Sequence, residues 1–362
     1  MMTSFAERTL RLLPKTIGDF AFWLFAAVPL MLLAALLAAL LAGTPAKADE
    51  AGSCGGKNIL TELKESDPAL YQSVVDEAAR IPNGKGNFWK IEKTGVAPSW
   101  LMGTMHVTDS RVLAMSDTAR QAYAEAATVV IESDEILDEK KAAAALLMKP
   151  ELTMFNDGTT ISKLLSKEDA ATLAEGLKAR GLALPLVERM KPWMIASFVA
   201  LPACELERKA KGTSFLDKKL AEDAVAQGKQ VAGLETLAEQ LSAMAELPFD
   251  FHLQALVETI KLGDRMNDVI ETMTDLYLSG DTGMTMPMLK TVSTADDGDQ
   301  GSSYAAFEQR IVIDRNHVMA ERAGPFLAKG NAFIAVGALH LPGEEGLVEL
   351  LRKQGYTVSA AD

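Results

Sequence analysis

The sequence predicts an α/β protein: a central mixed β-sheet with strands near both ends of the mature chain and a large helical insertion. Three observations carry this. Short apolar runs recur at 88–92, 99–103, 127–131, 229–234, 331–336 and 356–358. Between them lie long stretches with apolar residues at helical spacing. The composition is rich in Ala, Leu and Met and only 6% aromatic, which favours helix over a β-sandwich.

The chain starts with an export signal. Arg8, Arg11 and Lys15 precede an uncharged stretch from Phe20 to Gly43. Ala46-Lys47-Ala48 then offers a small-residue cleavage site. Residues 1–48 therefore read as a signal peptide. The rival reading is an N-terminal membrane anchor, with 20–43 as the tether. Both place the folded part outside the cytoplasm, in the periplasm or beyond. Residues 49–86 read as a short Gly/Ser linker and a helix over 66–80, started by Ser66-Asp67-Pro68.

Residues 87–358 read as the α/β domain. Phe88–Glu92 alternates, Gly95–Pro98 turns, and Ser99–Gly103 returns, which makes a hairpin. A helix over 116–126 leads into the buried strand 127–131. The helical insertion spans about 135–330. It is broken at Pro150, Gly158, Gly181, Pro185, Pro192 and Pro202, and strand 229–234 interrupts it. Residues 236–279 and 304–329 are again helical. Residues 292–303 read as a mobile loop, and Gly280–Pro287 as a lid or partner contact. Strand 331–336, helix 343–354 and edge strand 356–358 close the chain.

A net charge of −13 argues against nucleic-acid binding. The two cysteines, Cys54 and Cys204, are too few for a disulfide scaffold or a Cys₄ zinc site. In an oxidising compartment they are expected to pair.

Four strands end in a polar residue. Trp100–Gly103 runs into His106, Val129–Ile131 into Glu132, Val231–Leu234 into Glu235, and Ile334–Gly337 into His340. Strand carboxyl ends are where α/β sheets bind ligands. Two His and two Glu make a nitrogen/oxygen donor set suited to Zn²⁺, Mn²⁺ or Co²⁺, with positions left for water. Gly103-x-x-His106 and Gly337-x-x-His340 repeat one pattern and use two of only four histidines. The glycines, which lack a Cβ, are taken as sites of close approach to a cofactor or ligand. His252 reads as structural. Arg315 and Asn316 lie on a helix face that would turn a guanidinium toward an oxyanion or a substrate carboxylate. H-E-x-x-H, Walker A, G-x-S-x-G and strand-following G-x-G-x-x-G motifs are absent.

Trp100-Leu-Met-Gly-Thr-Met-His106, with Val336-Gly-Ala-Leu-His-Leu-Pro-Gly-Glu-Glu-Gly346 near the end, resembles the TraB/GumN family, which includes the animal Tiki proteins. Val130-Ile-Glu132, Met190-Lys-Pro-Trp193, Phe215-Leu-Asp217, Gly233-Leu-Glu-Thr236 and Arg315-Asn316 support the resemblance. It implies a fold like that of erythromycin-esterase-like and ChaN-like proteins, and a metal-dependent protease activity. On that reading His106 and His340 bind the metal. One of Glu132 and Glu235 is a further ligand and the other the general base, with Arg315 and Asn316 completing the catalytic set. The substrate would be a peptide or another small molecule. The alternatives are a haem- or ligand-binding protein, one that sequesters a signal peptide, and a metal-free hydrolase with a histidine base.

Overall fold

The computed structural model describes residues 53–138, 140, 148–292 and 305–361. The export-signal reading of 1–48, and the loop reading from 293 onward, lie outside the described residues. Among the described residues no helix is long and apolar enough to cross a membrane.

Six strands form one sheet: β1 (Phe88–Glu92), β2 (Ser99–Thr104), β3 (Thr128–Ile131), β4 (Gln230–Gly233), β5 (Ala332–Gly337) and β6 (Thr357–Ala360). Their order is β4-β3-β5-β2-β1-β6. The first four in that order are mutually parallel, while β1 runs antiparallel to both β2 and β6. The sheet is therefore mixed, with the closing strand at its edge.

Side chains alternate between two cores, as the pleat requires. Val129, Ile131, Phe333 and Ala335 pack under helices at Asp117–Glu125 and Leu216–Ala226. Val130, Ile334 and Val336 pack under helices at Asp314–Lys329 and Leu347–Lys353. Both faces are covered, which explains the near-continuous apolar runs of β3 and β5. The connections after β2 and β3 cross one face toward β4. Those after β4 and β5 cross the other face toward β6. A crevice at the strand carboxyl ends is the outcome of such divergence.

We number the longer helices in chain order: α1 (Ile59–Ser66), α2 (Pro68–Ala79), α3 (Asp117–Glu125), α4 (Lys167–Lys178), α5 (Pro192–Val199), α6 (Ala203–Ala210), α7 (Leu216–Ala226), α8 (Leu237–Ala245), α9 (Phe249–Leu262), α10 (Arg265–Leu278), α11 (Thr285–Val292), α12 (Asp314–Lys329) and α13 (Leu347–Lys353). Helix α1 was not expected. Asn58 caps it through Thr61 N, and Asp67 starts α2 by accepting from Leu70 N, with Pro68 in the first turn. The expected 236–279 helix is three helices, interrupted by Pro248 and by Gly263 at φ 52°. The 304–329 helix carries a π-helical stretch at Glu308–Ile313 just before α12. Gly283 N donates to Gly84 O at 2.8 Å, and Thr282 and Thr285 are buried. Cys54 and Cys204 are bonded, with Cα atoms 6.0 Å apart.

Candidate active site at the strand carboxyl ends

Because β2, β3, β4 and β5 are parallel, their ends deliver side chains to one edge. Glu132 leaves β3 directly. Glu235 follows β4, and its backbone N–H donates to Glu132 O at 2.7 Å. His340 sits in a single 3₁₀ turn, Ala338–His340, immediately after β5. His106 lies two residues beyond β2. A cavity of about 350 Å³ opens there, lined in part by His106, Glu132, Tyr277, Arg315, Gly337 and His340.

Glu132 is buried and fully engaged. Its Oε1 accepts from Gly337 N at 2.7 Å. Its Oε2 accepts from Arg315 Nη2 at 2.7 Å and Gln240 Nε2 at 3.0 Å. Burial opposes its charge, but His340, His106, Arg315 and the Gly337 N–H prevail and hold the carboxyl well below the usual range. Arg315 also grips Glu235, with Nε at 3.1 Å from both oxygens and Nη2 at 2.7 Å from Oε2. Gln240 reaches Glu235 as well, at 3.5 Å.

Arg315 lines the cavity, and two buried carboxylates hold its guanidinium. Two buried carboxylates are far more stable sharing a guanidinium than alone, so they take its Nε and Nη2. Glu235 does not line the cavity that holds the histidines. It borders a separate depression with Glu239 and Arg310.

The two histidines differ in environment. His340 is buried, and its Nδ1 meets Asn316 Oδ1 at 2.7 Å. The Asn316 amide nitrogen donates to Glu345 O at 2.8 Å, so its oxygen is the acceptor and Nδ1 carries the hydrogen. Nε2 then presents its lone pair beside Glu132 Oε1, 3.8 Å away. Burial pushes this ring down to about 4, so it is neutral at pH 7. His106 is half exposed (side chain 55%) and lies 3.5 Å through Nε2 from Asp217 Oδ2. Desolvation opposes its charge, but Asp217 outweighs it and lifts the ring to about 9. His252 is structural: its Nε2–H donates to Met244 O, 2.9 Å away.

The glycines separate in role. A Cβ on Gly337 would stand 3.2 Å from Glu132 Oε1, so this glycine lets the carboxylate reach the backbone N–H. A Cβ on Gly103 would stand 3.0 Å from Ala338 Cα and Cβ. Gly103 does not line the cavity; it lets β2 approach the turn that carries His340.

Asp217, Gln240 and Tyr277 were missed as site residues. Asp217 is buried: its Oδ1 accepts from Thr104 Oγ1 at 2.7 Å, and its Oδ2 faces His106 Nε2 at 3.5 Å. Its signal was present in Phe215-Leu-Asp217 but was not carried to the site. Tyr277 donates to Gly103 O at 3.0 Å. Gln240 had no signal in the sequence.

The donor chemistry fits a borderline divalent ion in part: a neutral His340 with its Nε2 lone pair toward the cavity and oriented from behind by Asn316, and His106 beside the buried Asp217 carboxylate. The spacing does not complete it. Among the described residues no three His, Cys, Asp or Glu groups converge as a metal site.

Over 327 residues the chain is 24% identical to a protein named metalloprotease TIKI homolog from Nematostella vectensis, covering 78% of this chain and 68% of that one. It is 25% identical over 310 residues to metalloprotease TIKI2 from Danio rerio, covering 72% of this chain and 58% of the relative. With human metalloprotease TIKI1 the identity is 22% over 318 residues, covering 75% and 61%. The chain thus spans 58% to 68% of the length of these relatives. No solved structure matches it. The TraB/PrgY/gumN family model matches residues 87–360, nearly all of the part described above, and the chain belongs to that family.

Proposed function

We propose that this protein is an extracytoplasmic, metal-dependent hydrolase of peptidase type, working from the cavity at the ends of β2, β3 and β5. The observation that carries the reading is that both Gly-x-x-His units bring their histidines to one cavity beside an ionised, buried Glu132. The names of the relatives support the reaction class, and the Cys54–Cys204 bond supports an oxidising compartment. Kinship with erythromycin-esterase-like and ChaN-like folds is part of the same reading.

His340, and His106 once it gives up the proton it shares with Asp217, would hold the ion, be it Zn²⁺, Mn²⁺ or Co²⁺. A bound ion supplies Lewis-acid polarisation of an amide carbonyl and a water of lowered pKa. The chain's own residues do the rest. Asn316 fixes the His340 tautomer, so that Nε2 and not Nδ1 faces the cavity. Arg315 and Gln240 hold Glu132 ionised and immobile, with Oε1 turned toward His340. That oxygen is the group placed to take a proton from water or substrate. Glu235 acts through Arg315 and not on the substrate.

A second reading, metal-free hydrolysis with His340 as base, draws on the same Asn316–His340 pair, which sets the tautomer a general base needs. Metal content separates the two. Full-length protein is expected to carry near-stoichiometric metal by mass spectrometry, to lose it in the His106→Ala/His340→Ala variant, and to cleave peptides in a chelator-sensitive way. Glu132→Gln should keep the metal and lose cleavage. Cleavage that survives chelation would favour the second reading. A Soret band with no cleavage would favour haem binding.

A further inference from the structure

Helix α6 carries a buried carboxylate that the proposed chemistry does not use. Glu205 is 1% exposed and does not line the cavity. Its Oε2 accepts from Thr108 N at 2.8 Å and from Thr108 Oγ1 at 2.7 Å. Its Oε1 accepts from Arg208 Nη2 at 2.6 Å. Thr108 is two residues beyond His106. One turn further along α6, Lys209 Nζ donates to the backbone oxygen of His106 itself, at 3.1 Å. The loop that presents His106 is thus tied to one helix by three hydrogen bonds.

The helix is itself tied. Cys204, next to Glu205, is bonded to Cys54. On the far side of the loop, Arg111 joins Asp109 to Glu271 of α10, with its Nη1 2.8 Å from Glu271 Oε1. Ser53, beside Cys54, donates to the other oxygen of Glu271 at 2.7 Å. An apolar residue at 205 would fill the space without desolvating a charge. The carboxylate does what an apolar residue cannot: it accepts from both the backbone and the hydroxyl of Thr108 at a fixed distance from His106.

We propose that Glu205 is the positioning residue for His106, with the Cys54–Cys204 bond holding its helix in register. This rests on the reading of His106 as a site residue. It is a claim about placement, so its test does not need turnover.

The full-length protein has four histidines, so ring carbon labelling gives four resolvable signals. Three variants are compared with the parent: Glu205→Gln, Thr108→Val and Cys54→Ser/Cys204→Ser. In each, the His106 signal is expected to shift and broaden, while those of His252 and His340 stay in place. Amide exchange over 104–109 should rise about tenfold, with 334–341 unchanged. If Glu205→Gln does not fold, Thr108→Val decides, because it removes only the hydroxyl's bond. An unmoved His106 signal in a folded variant overturns the proposal. So does an equal shift of His106 and His340, which would mean a general loosening. A negative peptidase assay with the expected His106 shifts would sink the hydrolase reading and leave this one standing.

Discussion

Arg315 decides the electrostatics of the site. It shares Nη2 between Glu132 and Glu235, each 2.7 Å away, and all three side chains are mostly buried. Removing a shared partner leaves two buried carboxylates unpaired, which is far costlier than losing an exposed ion pair. Arg315→Leu is expected to lose about 3–5 kcal/mol in urea unfolding at pH 7. Arg315→Lys should recover only part of this, since a single ammonium cannot fork between two carboxylates. The deficit of Arg315→Leu should shrink as the pH falls and the freed carboxyls protonate. A deficit that is the same at pH 4 and pH 7 would show that the pairing is not its source. At this scale the histidines were legible, because a rare residue repeated in one pattern after two strands. Asp217 was not, because an acidic residue in the first turn of a helix is usually a solvated one. That Glu235 and Glu132 both turn to Arg315, and not outward, depends on α12 lying over the ends of β3 and β4, which no local spacing encodes.

Among elements, the turn after β5 is constrained on two sides. It must carry His340 within 3.8 Å of Glu132 while passing against β2 at Gly103. A methyl group at 103 would meet Ala338 Cα and Cβ at 3.0 Å and Leu341 Cδ2 at 3.1 Å, inside the usual contact distance. Gly103→Ala is therefore expected to destabilise by about 1–3 kcal/mol and to displace the His340 ring signal in the labelled protein. A variant of unchanged stability with His340 unmoved would mean that β2 and the turn can separate without cost. The strands were legible as short apolar runs bounded by Gly, Pro or charge, and all six form within two residues of expectation. The short helix α1 was not, because eight residues hold too little periodicity to stand out. The helical stretch 236–279 divides at Pro248 and Gly263 into three helices, and helical periodicity alone does not mark those divisions. The insertion of β5 between β3 and β2 is a long-range choice.

For the whole molecule, the two cavity histidines pull stability in opposite directions with pH. His340 is neutral in the fold, held down to about 4 by burial, and ordinary near 6.5 when unfolded. Between those values only the unfolded chain takes the proton, so stability rises with pH through this window. The fold loses on the order of 3 kcal/mol as the pH drops from about 6.5 toward 4. Glu132 adds to the acid side below the ordinary carboxylate range, since its charge is favoured only in the fold. His106 acts the other way. Desolvation opposes its charge and Asp217 more than restores it, so the folded ring titrates at about 9. Its contribution is complete below about 6.5 and is lost as the pH rises through about 9. It is the smaller of the two, because half of that ring is open to water. Chelator-treated protein should therefore be most stable near neutral pH and fall away on both sides in urea titrations at pH 5, 7 and 9. His106→Gln should flatten the alkaline limb and leave the acid limb. His340→Gln should do the reverse, on a lower overall stability from the lost Asn316 contact. An alkaline limb that survives His106→Gln would show that the His106–Asp217 pair does not set it.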